Sequence, residues 1–365
     1  MQRIGVIMAG GSGERFWPVS RKHRPKQLLT LTSPDETMLG ESVSRLAPLI
    51  APEHVYVVTG DHLVEPIRQA GVGIPDGNVI AEPAKRNTAG ALAYAAAHAM
   101  ANYNDDGGGL TMAVVTADHL IGSPDRFRAT VEAALEQAET RDALVTLGVV
   151  PARPETGYGY IRAVAPLNEG ADIPAYEVAE FLEKPDEERA RQFVESGSYY
   201  WNSGMFFWKV SAFLAELEHA RPDLAEATRT MAGAMAKGDD ALVRQTFEAL
   251  EDISIDYALM EHGRRVIMVR ADFPWDDVGA WTALDRTQPK DGQGNVTAGD
   301  PVLADTRNSI VFNDAGSEEM AVGVVGMDDV IVVATSDAVL VMPKDRAQDV
   351  RKVVQALKER QAPQL

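Results

Sequence analysis

Residues 4–18 read Ile-Gly-Val-Ile-Met-Ala-Gly-Gly-Ser-Gly-Glu-Arg-Phe-Trp-Pro, a short apolar run that breaks into glycines. Residues 4–8 are apolar almost throughout and rich in β-branched side chains, the pattern of a strand covered on both faces of a sheet. Residues 55–59 and 112–116 repeat that pattern, and the alanine-rich stretches 88–100 and 127–138 have helical composition. The alternation predicts an α/β fold with a Rossmann-like, doubly wound sheet. Ligands of such sheets bind beyond the carboxyl ends of the strands, so the residues just after each strand are the first candidates for chemistry.

Gly10-Gly11-Ser12-Gly13-Glu14-Arg15 follows the first strand. Glycines there let the backbone approach a ligand and aim successive N–H groups at an anion. The turn is not a P-loop, because Gly-Lys-Ser/Thr is missing, and Arg15 stands where a dinucleotide fingerprint has its third glycine. A tight strand-to-loop turn would use the same glycines. What distinguishes this one is the charge that follows. Arg15, Arg21, Lys22, Arg24 and Lys26 form a basic run with no acidic residue among them, in a chain of net charge −19. A solvated basic loop is the plain alternative; an anionic ligand is the simple reason for such a cluster.

The overall charge argues against nucleic acid as a partner, since a phosphate backbone needs a basic face. Length, 365 residues, allows two domains, and 45% hydrophobic with 24% charged residues is ordinary globular composition. No run of about twenty apolar residues is present, so no membrane span is expected. The absence of cysteine excludes disulfides and thiolate metal sites and suits a cytoplasmic location.

Beyond residue 151 the pattern is mixed. A strand is predicted over 178–182, an aromatic run spans 199–208, and helices are predicted over 211–219, 224–235 and 255–261. The aromatics read better as core than as a stacking platform. Asp291-Gly292-Gln293-Gly294-Asn295 reads as a turn-rich linker. The expected organisation is a domain over 1–288 and a small β-rich C-terminal domain over 289–365, with strands over 329–334 and 338–342 and a closing helix over 347–357. No low-complexity segment or repeat array is evident.

Gly-Gly-x-Gly-x-Arg followed by Trp17-Pro18 and Pro25-Lys26-Gln27 resembles the signature of the sugar-1-phosphate nucleotidyltransferases, and within them the mannose-1-phosphate guanylyltransferases. Further blocks match in family order across residues 10–281: Glu82-Pro83-Ala84-Lys85-Arg86-Asn87-Thr88, Asp118, Thr156-Gly157-Tyr158-Gly159-Tyr160, Glu183-Lys184-Pro185, Trp201-Asn202-Ser203-Gly204, Ser254-Ile255-Asp256-Tyr257, and Trp275-Asp276-Asp277-Val278-Gly279-Ala280-Trp281. The resemblance implies a glycosyltransferase-A-like nucleotidyltransferase domain. It assigns triphosphate binding to Gly10, Gly11, Ser12 and Gly13 and charge neutralisation to Arg15 and Lys26. Glu82, Arg86, Asn87 and Thr88 fall near the nucleotide, with Glu82 as a reader of guanine. Asn87 or Thr88 is also placed to cap the following helix.

Asp118 and Asp277 are implied as the pair that holds Mg2+, with Asp118, Arg15 and Lys26 the catalytic set. Asp276 takes the variable position and is expected to be a bystander; Asp277 could instead cap a helix. Tyr158, Gly159, Glu183 and Asn202 are implied to contact the sugar, and Lys184 the incoming phosphate. The Ser254–Tyr257 block reads as a buried helix supporting the site.

The implied reaction is direct displacement by mannose 1-phosphate at the α-phosphorus of GTP. Little covalent help and much charge stabilisation are needed, and His119 is not required as a proton shuttle. A different base or hexose is the nearer alternative; a non-catalytic regulatory paralogue is the other, whose mark would be loss of a phosphate or metal residue. By analogy with the family, a homodimer through the C-terminal region is expected, and a fused isomerase domain is not.

Overall fold

The computed structural model describes residues 1–11 and 13–365; Ser12, assigned above to the phosphate loop, lies outside the described residues. The chain forms two compact units. The first comprises Met1–Gly10, Ser42–Ala117 and Ile121–Pro274, and the second Gly11–Glu41, Asp118–Leu120 and Trp275–Leu365.

The first unit is built on a nine-stranded sheet. Its strands are β1 (Gln2–Met8), β2 (Val55–Gly60), β3 (Val79–Glu82), β4 (Leu110–Thr116), β5 (Leu144–Val149), β6 (Tyr160–Pro166), β7 (Ala175–Leu182), β8 (Tyr199–Lys209) and β9 (Val266–Ala271). They lie in the order β3-β2-β1-β4-β8-β5-β9-β7-β6. The first four are parallel, with Val6 opposite both Tyr56 and Val114. β8 then enters antiparallel between β4 and β5, so the sheet as a whole is mixed. Strand order reverses at β1, the point where an α/β sheet opens a crevice for a ligand. Two backbone bonds close that end: Ala9 N–H donates to Val58 O at 2.9 Å and Ala117 N–H to Met8 O at 3.2 Å.

Helix α1 (Asp61–Ala70) follows β2, and the alanine-rich stretch forms α2 (Asn87–Tyr103), buried at Ala89, Leu92, Ala93, Ala96 and Ala97. Small side chains let α2 run through the core and pack against a later helix, here α5 (Pro222–Met235). Between them in sequence come α3 (Pro124–Arg141) and α4 (Val210–Ala220). The aromatic run of β8 is core, as expected: Trp201, Phe206, Phe207 and Trp208 are buried, and Trp208 stacks on Phe213 of α4 at 4.8 Å between ring centres.

The second unit joins the glycine-rich loop to the C-terminal region. Short strands β10 (Val296–Ala298), β12 (Ile310–Asn313) and β14 (Val330–Ala334) stack in parallel, and β15 (Val339–Pro343) closes antiparallel on β14. β11 (Val302–Ala304) pairs in parallel with β13 (Gly323–Val325). Polar side chains inside the stack satisfy its turns. Thr306 and Ser309 are fully buried, with Thr306 Oγ1 donating to Val324 O and Asn295 Nδ2 to Thr306 O. The apolar core of this unit unites Phe16, Trp17, Leu29, Val278 and Trp281 with Ile310, Ile331, Val350 and Val354.

Two helical expectations are corrected. The closing helix α6 spans Val350–Glu359; residues Lys344–Asp349 form a tighter 3-10 segment, where Arg346 leaves helical geometry and pairs with Asp349. The expected helix over 255–261 is one π-type turn, Asp256–Met260, closed by Glu261 N–H donating to Asp256 O at 3.0 Å.

Candidate functional site

In the second unit the loop after β1 turns at Gly13, whose φ is +62°. A Cβ there would lie 2.7 Å from both the Cβ and the backbone nitrogen of Lys26, so only glycine lets the two stretches meet. Lys26 is buried, 6% exposed. Its Nζ donates to Asp118 Oδ2 at 2.9 Å and to the backbone carbonyl of Asp277 at 2.7 Å. Burial alone would raise the Asp118 carboxyl, but the charges of Lys26 and His119 hold it below its ordinary value. Arg15 donates through Nη1 to Gly279 O at 3.1 Å, while its Nε is buried with no hydrogen-bond partner among the described residues. Burial, with Arg351 of α6 nearby, lowers its pKa. An unpaired guanidinium N–H close to a second arginine suits an anion. The structure thus brings Gly11, Gly13, Arg15, Lys26, Asp118 and Asp277 into one unit.

The Trp275–Trp281 stretch is shaped by its own carboxylates rather than by a helix. Asp276 is buried, accepts from Val278 N–H at 2.8 Å, and pairs with Arg286 at 2.9 Å. Asp277 Oδ1 accepts from Gly279 N–H at 3.1 Å. Just after them Val278 is held at φ +47°, a conformation β-branched residues avoid. Asp276 is therefore no bystander; it anchors the turn that presents Asp277.

The two aspartates offer hard oxygen donors, and their segments converge on one ammonium, Lys26. Among the described residues no cluster of three or more His, Cys, Asp or Glu side chains is arranged as a metal cage. A pair of carboxylates fits a divalent cation that completes its shell with water and substrate phosphate.

In the first unit Gly10 and Glu82 lie together, with Glu82 Oε1 3.8 Å from where a Gly10 side chain would start. Burial pushes the Glu82 carboxyl up to about 7. Arg86 donates to the carbonyls of Lys85 and Glu248, and its Nε is buried without a hydrogen-bond partner among the described residues. The expected helix cap is absent: the helix begins at Asn87 itself, and no side chain makes a capping bond. Asn87, at φ +57°, accepts from Thr88 N–H through Oδ1, but Thr88 Oγ1 instead accepts from Ile255 N–H at 2.8 Å.

The sugar-directed residues form a second group in this unit. Gly159 is buried, and a Cβ there would lie 2.5 Å from Glu183 Oε2 and 3.3 Å from Asn202 Cβ. Lys184, at φ +47°, donates its backbone N–H to Tyr158 O at 3.2 Å and its Nζ to Glu183 Oε1. Burial opposes its charge, but Glu183 and Asp256 hold its pKa above the ordinary value. Asn202 N–H donates to Gly159 O at 2.8 Å. Tyr158, Gly159, Glu183, Lys184 and Asn202 are all brought together.

Two residues escaped the sequence reading, and a third was read only as support. Arg153 stands 5.1 Å over the Trp201 ring and beside Tyr158; its only signal was a cation just before the Thr156–Tyr160 block. Arg351 adds positive charge beside Arg15, from a helix with no motif. Asp256 Oδ1 accepts from Asn202 Nδ2 at 2.9 Å; its block stood out, but as support.

The nucleotidyl transferase family model matches residues 4–294, and the MannoseP isomerase/GMP-like beta-helix domain model matches residues 299–357. The chain is 41% identical over 363 residues to a mannose-1-phosphate guanylyltransferase of Escherichia coli, spanning 98% of this chain and 74% of that protein. It is equally similar, with the same shares, to a mannose-1-phosphate guanylyltransferase of Klebsiella pneumoniae. Among solved structures, the mannose-1-phosphate geranyltransferase of Thermus thermophilus aligns at 35% identity with a TM-score of 0.86, covering 98% of this chain and 100% of that one.

Proposed function

The chain belongs to the mannose-1-phosphate guanylyltransferase family of nucleotidyl transferases, and on that premise we propose that it joins GTP to mannose 1-phosphate, giving GDP-mannose and diphosphate. The observation that carries this reading is the Arg15–Lys26 group, a buried ammonium and a guanidinium with an unsatisfied N–H in a strongly acidic chain.

A phosphate oxygen of mannose 1-phosphate attacks the α-phosphorus of GTP, the bond to the bridging oxygen breaks, and diphosphate leaves. The attacking oxygen is already ionised, so no side chain removes a proton. Backbone N–H groups of Gly10, Gly11 and Gly13 and the charges of Arg15 and Lys26 take the triphosphate in this reading and offset the negative charge that grows on the leaving group. Lys184 holds the incoming phosphate; Glu183, Asn202, Tyr158 and Gly159 fix the hexose. Glu82 accepts from guanine N1 and N2, and Arg86, Asn87 and Thr88 complete the nucleotide's surroundings.

Asp118 and Asp277 would hold a divalent cation, Mg2+ in our reading, which when bound neutralises phosphate charge. Lys26, bonded to both segments, keeps the two aspartates placed. A reaction consuming GTP and a sugar phosphate belongs in the cytoplasm, where we place it. Incubating the protein with GTP, mannose 1-phosphate and Mg2+ and following phosphorus resonances tests the reading: GDP-mannose should appear as diphosphate accumulates. Unchanged GTP in the presence of folded protein would overturn it.

A further inference from the structure

Asn202 is spent on nearly every side. Its Oδ1 accepts from Gly204 N–H at 3.2 Å and lies 3.1 Å from Thr146 Oγ1, whose single proton is also claimed by Met205 O at 3.0 Å. Its Nδ2 gives one N–H to Asp256 Oδ1 at 2.9 Å. A single amide N–H is left. Asn202 can therefore donate to a hexose oxygen through that N–H. Hexose hydroxyls that donate are met most strongly by carboxylates.

Two carboxylates repel one another here. Glu183 has Oε1 on Lys184 Nζ and Oε2 turned towards the space that Gly159 leaves open. Asp256 has Oδ1 on Asn202, and no other side chain among the described residues donates to its Oδ2. The Asp256 segment is pinned on its other side, by Ile255 N–H donating to Thr88 Oγ1 and Ala89 N–H to Ile253 O. It enters the group through a π-type turn, a geometry that recurs at functional positions.

We propose that Asp256 is a second sugar-reading carboxylate, which orients the Asn202 amide through one oxygen and accepts from a hexose hydroxyl through the other. Glu183 and Asp256 together then accept from two hydroxyls of a hexose 1-phosphate, and the pair decides which hexose is used. The inference rests on the transferase reading above. The charged groups around Asp256 agree with it: Glu183 repels it, Lys184 attracts it, and burial together with Glu183 pushes its carboxyl up to about 7. A hydroxyl donor from a bound sugar would offset that burial.

Asp256→Asn keeps the size and the oxygen that receives Asn202 but replaces the other oxygen with a donor. Steady-state rates with GTP against mannose 1-phosphate and glucose 1-phosphate are the test, with melting curves to establish folding. KM for mannose 1-phosphate should rise about ten- to a hundredfold, the loss of one charged hydrogen bond, while KM for GTP stays put. The preference between the two hexoses should shift as well. Asp256→Ser, which removes both carboxylate oxygens, should give the same split. Unchanged constants, or KM values for sugar and nucleotide that rise together, would leave Asp256 a purely structural residue and overturn the proposal. Failure of the unaltered protein on every hexose phosphate would sink the transferase reading itself, and the inference with it.

Discussion

The Lys26 ammonium donates to the Asp118 carboxylate at 2.9 Å and, from the same nitrogen, to the backbone carbonyl of Asp277 at 2.7 Å. Residues far apart in the chain are thus gathered by one buried charge, which can both place them and act on a phosphate. Lys26→Ala should lower turnover about a hundred- to a thousandfold, the usual loss for one preorganised charge donor. Single-turnover rates at saturating substrates check this; near-normal turnover would remove Lys26 from the catalytic set.

Gly13→Ala should mimic that loss by another route. The left-handed backbone costs alanine about 1–2 kcal/mol, and the new Cβ would meet Lys26 at 2.7 Å. A lower melting temperature together with a fall in turnover is expected. A variant as active as the parent would show that the loop need not touch Lys26.

Removing divalent metal should abolish transfer, and adding Mg2+ should restore it. Asp277→Asn should raise the Mg2+ concentration needed for half-maximal rate. Titrating activity with Mg2+ in both proteins measures this; identical titrations would take Asp277 out of the metal pair.

Glu82 titrates near neutrality, with a pKa of about 7. To accept from guanine it must be ionised, so KM for GTP should fall as pH rises through that value. In Glu82→Gln the pH dependence should flatten and the preference for GTP over ATP should weaken. A parallel pH profile in the two proteins would discard Glu82 as the base reader.

The same shifts set a stability trend opposite to that of paired carboxylates. Glu82 and Asp256 both have folded values raised to about 7, so the folded chain holds these protons more tightly than the unfolded one. Their contribution is whole below the unfolded values, about 4, and is lost as pH climbs to about 7. Without ligand, Asp256→Asn should therefore melt higher than the parent at pH above 7 and gain less under acid conditions. Melting curves at both ends of that window test the sign.

Local pattern explains what could be read beforehand. The run 4–8, the glycines after it and the basic residues 15–26 are contiguous, so strand, turn and anion site follow from short-range rules. The alanine-rich composition of α2 likewise announced a helix. Asp118 was legible as a carboxylate just after a strand, but its pairing with Asp277 came only through resemblance, since nothing local ties the two together. The Asn202–Asp256 bond spans 54 positions and left no trace in periodicity. Residues 255–261 carry helix-like apolar spacing, and only the closure of Glu261 on Asp256 makes the turn a π turn. The parallel stack after residue 295 escaped as a repeat because its strands recur at unequal intervals, 296, 310 and 330. Thr88 was misread as a cap because the chain that claims its hydroxyl, at Ile255, lies 167 positions away.

The most direct measurement is diphosphate release by the purified protein with Mg2+, crossing GTP, ATP, UTP and dTTP with mannose 1-phosphate and glucose 1-phosphate. The account predicts a maximum with GTP and mannose 1-phosphate. A maximum in another combination would keep the displacement mechanism and contradict the roles given to Glu82, Asn202 and Asp256. Silence in every combination, from folded protein, would contradict the account at its centre and favour a regulatory relative that binds without transfer.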